Sequence, residues 1–362
     1  MSDLKPAPHG WIILDKPRGL GSTQAVGAVK RNLREGGYAK TKVGHGGTLD
    51  PEAEGVLPIA LGEATKLAGR MLDASKIYEF TVQFGEETDT LDAEGEITAR
   101  SDRRPPMAAI AAVLEHFTGE IEQVPPKYSA LMVDGKRAYD RARAGEEVEL
   151  KTRRVTIYDI SLSRHPREGG DPANLGDHDE SQLDPRLRGG DGVGFLADAD
   201  LTSTFQTTSG RPDPYDPGAP LELADAITLT AHVSKGTYIR SLARDIARAL
   251  GTVGHVTYLR RIKAGPFAEF QAISLDKLNE IGKGAPLQDL LLPLEAGLDD
   301  IPALTLDSDS AQAVRQGRVL SELPQTDGLY LAKLDDVPVA LVELSGGTAR
   351  VVRGFNLPDV AE

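Results

Sequence analysis

The sequence predicts an α+β fold on three observations. Period-two alternation marks strands at Lys76 to Phe84 (KIYEFTVQF) and Ala226 to Val233 (AITLTAHV), with Tyr78, Phe80 and Val82 sharing one side of the first. Helical periodicity marks Tyr238 to Leu250, where Ile239, Leu242, Ile246 and Ala249 fall on one face. Strands and helices interleave without the regular strand-helix alternation of a parallel sheet, so a mixed sheet flanked by helices is expected.

The elements follow in order. His9 to Asp15 is a short apolar run bounded by Lys16-Pro17 and reads as a strand. Ser22 or Thr23 is placed to cap the next helix, which turns Val26, Val29 and Leu33 inward and stops at Gly36-Gly37. Lys42 to Leu67 reads as a loop, and Thr65 to Leu72 as a short helix. The polar turn Thr88 to Gly95 (TDTLDAEG) leads to a partner strand at Ile97. Pro105-Pro106 starts a helix with Ile110, Val113, Leu114 and Phe117 inward, and Gly119 stops it. Asp134-Gly135 signals a hairpin turn, and Glu147 to Leu162 reads as one or two strands. Gly251 stops the Tyr238 helix, after which His255 to Leu259 is a strand running into Arg260, Arg261 and Lys263. Pro293 to Pro302 reads as a linker. Beyond it, one helix (Ser308 to Gln316) and several strands suggest a small β-rich barrel.

Composition narrows the chemistry. The 362 residues suffice for two or three domains and a sizeable core. The absence of cysteine excludes disulfides, thiolate nucleophiles and cysteine zinc sites, and the seven histidines show no HExxH pairing, so no metal is expected. No apolar run reaches membrane-spanning length and the start lacks an apolar signal core, which predicts a cytoplasmic protein. The net charge of −14 argues at first against a nucleic-acid partner. Its distribution reverses that argument. His165 to Leu221 holds 11 acidic and 4 basic residues, and Ala296 to Glu362 holds 11 acidic and 5 basic, so the rest of the chain is nearly neutral with local basic clusters. His165 to Leu221 is also rich in Gly, Pro and Asp and carries two related pieces, HPREGGDP and DPRLRGGD. It reads as a flexible insertion whose deletion should spare activity.

Lys42 to Leu67 (KVGHGGTLDPEAEGVLPIALGEATKL) concentrates residues suited to a site. Pro51 biases Asp50 away from the α region, and glycines at 44, 46, 47, 55 and 62 permit turns and close backbone approach, so the segment presents one carboxylate on a rigid loop. On composition alone Asp50 reads as a turn former, His45 as a loop hydrogen bonder and Tyr78 as a core strand residue. Arg240, Arg244 and Arg248 recur every four residues, as a solvated face or as phosphate contacts.

GWIILDKPRGLGST, KVGHGGTLDPEAEGVLPIALGEATK, KIYEF, TDTLDAEG, VPPKYSALMVDGKRAY, SKGTYIRSLARDIARALG and HVTYLRR occur in this order between Gly10 and Arg261. Together they closely resemble the bacterial tRNA pseudouridine-55 synthase (TruB) family, whose C-terminal RNA-binding module the tail resembles only loosely. The resemblance implies a pseudouridine-synthase fold: a mixed, mostly antiparallel sheet with flanking helices around a central RNA-binding cleft, then a small PUA-like β-rich domain. The catalytic domain would span 9–295, interrupted at 165–221, and the C-terminal domain 296–362. The implied reaction flips the uridine at position 55 in the TΨC arm of tRNA, detaches its uracil from the ribose and rejoins it through carbon 5. No cofactor, membrane or obligatory protein partner is expected, and the chain would act as a monomer.

The same resemblance assigns roles. Asp50 matches the nucleophile, and glycosidic chemistry calls for a carboxylate that attacks or stabilises positive charge on the sugar. Arg240 matches the arginine that orients it. Tyr78 matches the tyrosine that stacks on the flipped base and assists proton transfer, while Tyr238 and Leu259 match pocket-wall positions. His45 matches the histidine that fills the space vacated by flipped nucleotides. Asp92 either orients pocket groups or stabilises its own turn. RNA affinity is expected from Lys127, Lys136, Arg137, Arg141, Arg143, Arg260, Arg261 and Lys263, with Arg350 and Arg353 either contacting phosphate or simply solvated. Two other readings stay open: a synthase of this fold acting on another RNA, and a tRNA chaperone for which Asp50 is dispensable.

Overall fold

The computed structural model describes residues 4–129, 131–133, 136–144, 146, 150–163 and 222–357. The insertion at 165–221, the Asp134-Gly135 turn and the side chains of Lys136, Arg137 and Arg143 lie outside the described residues. In chain order the first strands are β1 (Gly10–Lys16), β2 (Val43–His45), β3 (Glu54–Leu61), β4 (Lys76–Phe84), β5 (Glu86–Thr88) and β6 (Ile97–Arg100). They are followed by β7 (Gly119–Gln123), β8 (Met132–Val133), β9 (Lys136–Arg137), β10 (Arg153–Leu162), β11 (Ala226–Val233), β12 (Gly254–Ala264) and β13 (Phe267–Ala268). The tail adds β14 (Ala303–Leu306), β15 (Gly328–Leu334), β16 (Val337–Ser345) and β17 (Thr348–Gly354). The helices are α1 (Ser22–Glu35), α2 (Ala68–Asp73), α3 (Met107–Glu115), α4 (Ala138–Arg143), α5 (Ile239–Ala249), α6 (Leu275–Gly282) and α7 (Ser308–Arg315).

The central sheet runs β1-β3-β12-β4-β11-β10-β7, with β2 joined to β3 and β13 to β12. Its pairs are antiparallel except β12 with β3. β4 and β11 occupy the alternating runs read from sequence, and Phe80, Val82 and Leu229 are buried where that alternation turns them inward. α5 and α3 close one core with Leu242, Ile246 and Ile110, and α1 and α6 close another with Val29, Leu33 and Leu278. Tyr78 and Leu259 pack against both cores, so the two walls of the expected cleft stand where the cores meet.

Several expectations change. The Lys42–Leu67 stretch is not loop throughout, because β2 and β3 form its arms and leave the irregular backbone around Asp50. The cap of α1 is Gly21, whose backbone N–H donates to Gln24 Oε1 (2.7 Å), and this releases Ser22 for another task. Helix α6, capped by Ser274 accepting from the Lys277 N–H, was not anticipated. The stretch read as a linker is packed: Leu294 and Leu298 are buried, and the Trp11 indole N–H donates to the Leu294 carbonyl at 3.0 Å.

The tail forms a sheet in the order β14-β15-β16-β17, with β14 parallel to β15 and no pairing between β14 and β17 among the described residues. The tail is therefore β-rich, as expected, with α7 against its sheet and no pair among the described residues that closes it into a barrel. Leu331, Leu341 and Phe355 of the tail share a core with Trp11, Ile13 and Val56 of β1 and β3. At the other end, β10 and β11, the strands that flank residues 165–221 in the sequence, are antiparallel neighbours with Leu162 opposite Leu229. No described helix is long and apolar enough to cross a membrane.

Candidate active site

The backbone around Asp50 is fastened from four directions. The Ser22 hydroxyl donates to the Leu49 carbonyl (2.8 Å) and accepts from the Leu49 N–H (2.9 Å). The Pro51 carbonyl accepts from Lys16 Nζ (3.2 Å) and from the Gly19 N–H (2.8 Å). Lys16 also donates to the carbonyls of Pro17 (3.0 Å) and Leu20 (2.7 Å), and its burial holds the amino group down at about 8 despite the pull of Asp50. Arg261, 1% exposed, donates from Nε to the Val56 carbonyl (2.7 Å) and from its two Nη atoms to Thr48 and Gly47 carbonyls (3.3 Å each). Gly55 adopts a φ of +100°, and the Arg261 carbonyl lies where a Cβ would sit.

Arg240 stands in the first turn of α5 and is buried, whereas the Asp50 side chain is 42% exposed. Its Nη2 donates to Asp50 Oδ2 (2.8 Å) and the Tyr128 carbonyl (3.1 Å). Its Nη1 donates to Asp92 Oδ2 (3.0 Å) and the Thr90 carbonyl (2.9 Å). One guanidinium therefore spans two carboxylates, with its plane set by four acceptors. Asp92 also accepts from the Thr90 hydroxyl (2.5 Å) and the Glu94 N–H (3.2 Å), so it both stabilises its turn and orients Arg240. Leu91, just before it, holds a left-handed φ of 62°.

Asp50, Arg240, Tyr78, Tyr238 and Leu259 line one cavity of about 90 Å³. Tyr238 is held through its backbone by buried Gln123, which accepts from its N–H (2.8 Å) and donates to its carbonyl (3.1 Å). The Arg153 guanidinium lies 4.9 Å from the Tyr238 ring centroid. His45 ends β2 but does not line this cavity. Its Nδ1 accepts from the Gly47 N–H (3.4 Å), and burial followed by the nearby Arg261 charge pushes the imidazole below its usual value, favouring the neutral ring.

Sequence comparison gives the family. A model described as the N-terminal domain of TruB family pseudouridylate synthases matches residues 34–171, and one described as the tRNA pseudouridylate synthase B C-terminal domain matches residues 240–299. A curated relative from Novosphingobium aromaticivorans, named tRNA pseudouridine synthase B, is 61% identical over 353 residues, covering 98% of this chain and 99% of that one. The chain belongs to the TruB family. A relative of the same name from Zymomonas mobilis subsp. mobilis is 50% identical over 357 residues, with 98% and 99% of the two chains covered. The fold is shared with a solved structure described as an H/ACA RNP bound to a substrate RNA containing 2'-deoxyuridine. That likeness has a TM-score of 0.61 at 23% identity and covers 97% of this chain and 86% of that one.

Within this TruB-family fold, two of the expected RNA-contact arginines have other work. Arg261 is consumed by the Asp50 loop. Arg260 pairs with Asp15 (3.0 Å), Glu54 (3.2 Å) and Glu269 (3.1 Å). Lys127 and Lys263 are exposed, as a phosphate contact requires, while Arg141 pairs with Glu146 at 2.7 Å. In the arginine stripe of α5, Arg244 meets Asp245 (2.8 Å) and Arg248 meets Glu87 (2.8 Å), with the Arg248 side chain 55% exposed. Sequence reasoning missed Lys16, Ser22 and Gln123. Each is a buried polar residue at the edge of an element, a signal visible in sequence only as a polar residue beside an apolar run.

Proposed function

We propose that this chain isomerises the uridine at position 55 in the TΨC arm of tRNA to pseudouridine, with Asp50 as its nucleophile. The observation that carries the reading is the Asp50–Arg240 pair at 2.8 Å, set in a cavity walled by Tyr78, Tyr238 and Leu259. Asp50 Oδ2 is held by Arg240, whereas Oδ1 accepts no hydrogen bond among the described residues and is open to a substrate. A carboxylate oriented before substrate arrives needs no reorganisation at the moment of reaction.

The target base must leave its stack to reach Asp50. Tyr78 and Tyr238 offer ring faces to it, and Leu259 excludes water. Asp50 bonds to the ribose at C1′ or to the base, the C1′–N1 bond breaks, the uracil turns and C1′ bonds to C5. The bond to Asp50 breaks again to restore the carboxylate, and the C5 proton leaves with help from Tyr78 while N1 ends protonated. The reaction is an isomerisation and needs no redox partner. His45 would fill the gap left in the RNA, from a position beside the cavity. The proposal includes a monomer working in the cytoplasm without a protein partner, a catalytic domain at 9–295, and RNA contacts by the tail at 296–362.

The test is release of the C5 proton from tritiated tRNA transcript with the purified protein alone, followed by mapping of the modified position. Wild-type protein is expected to modify position 55, and Asp50→Asn to lose at least about a thousand-fold in rate. Full activity of Asp50→Asn would overturn Asp50 as the nucleophile, and wild-type protein that binds the transcript without releasing the C5 proton would leave the chaperone reading in its place. Modification only of another RNA, or only with added guide RNA and proteins, would favour a synthase of the same fold with a different target.

A further inference from the structure

A second cavity at the site is lined by Arg18, Asp50, Glu52, Asp92 and Arg240, and its cations differ in what they are free to do. Arg240 is buried between Asp50 and Asp92. Arg18, two residues beyond β1, has a side chain 55% exposed at the lip. Its backbone neighbour Gly19 donates to the Pro51 carbonyl, which ties the Arg18 turn to the Asp50 loop. The Nε and Nη2 edge of Arg18 closes on a single oxygen, Glu52 Oε2, at 2.7 and 2.6 Å. That edge is the one a guanidinium presents to a phosphate, and Glu52 fills the place a phosphate oxygen would take. Glu94, on the Asp92 turn, lies against Glu52 and has its carboxyl pushed up by burial and then by Glu52. An incoming polyanion therefore meets a crowded acidic rim in which one exposed cation is already occupied by an internal anion.

We propose that Arg18 contacts a backbone phosphate of the RNA substrate beside the flipped nucleotide, and that Glu52 occupies Arg18 in the free enzyme and must be displaced. The proposal rests on the functional reading above and adds to it a contact and an exchange step. Before contact, the Arg18–Glu52 pair keeps the guanidinium edge aimed over the Asp50 cavity. On contact the phosphate replaces Glu52, and the bond lost to the carboxylate is regained to the RNA.

The experiment uses the full chain and a TΨC-arm transcript, measuring KM, single-turnover rate and the dependence of binding on salt, with thermal unfolding recorded for every variant. Arg18→Gln is expected to raise KM about ten-fold, with the larger part of the loss in KM and not in kcat, and to reduce the salt slope by about one. Arg18→Lys should keep the salt slope while recovering only part of the affinity, because the ammonium lacks the fork. Glu52→Gln, which frees Arg18 without removing it, should lower KM a few-fold. Unchanged KM and salt slope in Arg18→Gln, or Glu52→Gln binding no better than wild type, would overturn the proposal while wild-type activity upholds the functional reading. Wild-type protein that forms no pseudouridine in tRNA would overturn both.

Discussion

Arg240 is the residue through which the site is coupled. It is buried with an aspartate on each Nη atom, so removing either carboxylate leaves the guanidinium less compensated and less well aimed. Asp92→Asn is expected to slow single-turnover pseudouridine formation about 10- to 100-fold with little change in KM, the loss belonging to a weakened charge-assisted bond. A variant with lower thermal stability and an unchanged rate would reduce Asp92 to a turn stabiliser. Lys16 makes a prediction in pH. Its amino group sits at about 8 in the folded chain against an ordinary 10.5, because burial outweighs the attraction of Asp50. Between those values the unfolded chain holds more protons, so the Lys16 contribution to stability rises with pH from about 8 to 10.5 and is unfavourable below 8. Urea midpoints of wild type and Lys16→Met across that window check the sign: the wild type should gain on the variant as pH rises.

At the scale of elements, the Asp50 loop is rigid because its neighbours reach into it, and its glycines permit that approach. β3 runs parallel to β12 at Gly55, opposite Arg261, and the left-handed backbone there leaves no room for a side chain. Gly55→Ala is expected to cost roughly 2–4 kcal/mol in chemical denaturation and to slow catalysis, since Arg261 would be pushed off the Gly47 and Thr48 carbonyls. The strands and helices were largely legible because their hydrophobic period is a local property: β4, β11 and α5 lie where periodicity puts them. Local signals misled where a residue's partner is distant. Ser22 looks like a helix cap and instead binds Leu49, 27 positions away, while Pro293 to Pro302 looks like a linker because nothing nearby announces that Trp11 will cover it.

For the whole molecule, the tail sheet and the central sheet share one core through Trp11, Ile13, Leu331 and Leu341, so the tail is packed onto the β1–β3 end of the central sheet. The acidic insertion is attached differently. The Ser163 N–H donates to the Thr228 carbonyl at 2.9 Å, so the strands that bracket it are already paired at its base. Replacing residues 165–221 with a short Gly/Ser turn is expected to leave the single-turnover rate within about two-fold, since the flanking strands are paired with each other and a shorter connection changes chiefly the entropy of closing it. A larger loss would give the insertion a part in binding RNA. The sequence by itself determined the mixed α+β class, the carboxylate-bearing loop and, through ordered motifs, the choice of Asp50, Arg240, Tyr78, Tyr238 and Leu259, which the fold gathers around one cavity. Tertiary structure alone decided what Arg260 and Arg261 do, because a guanidinium's role depends on which acceptors surround it. Arg240 meets Asp50 across 190 positions as the motifs led one to expect, whereas Arg261 finds Gly47 across 214 and the local pattern shows only that it is basic.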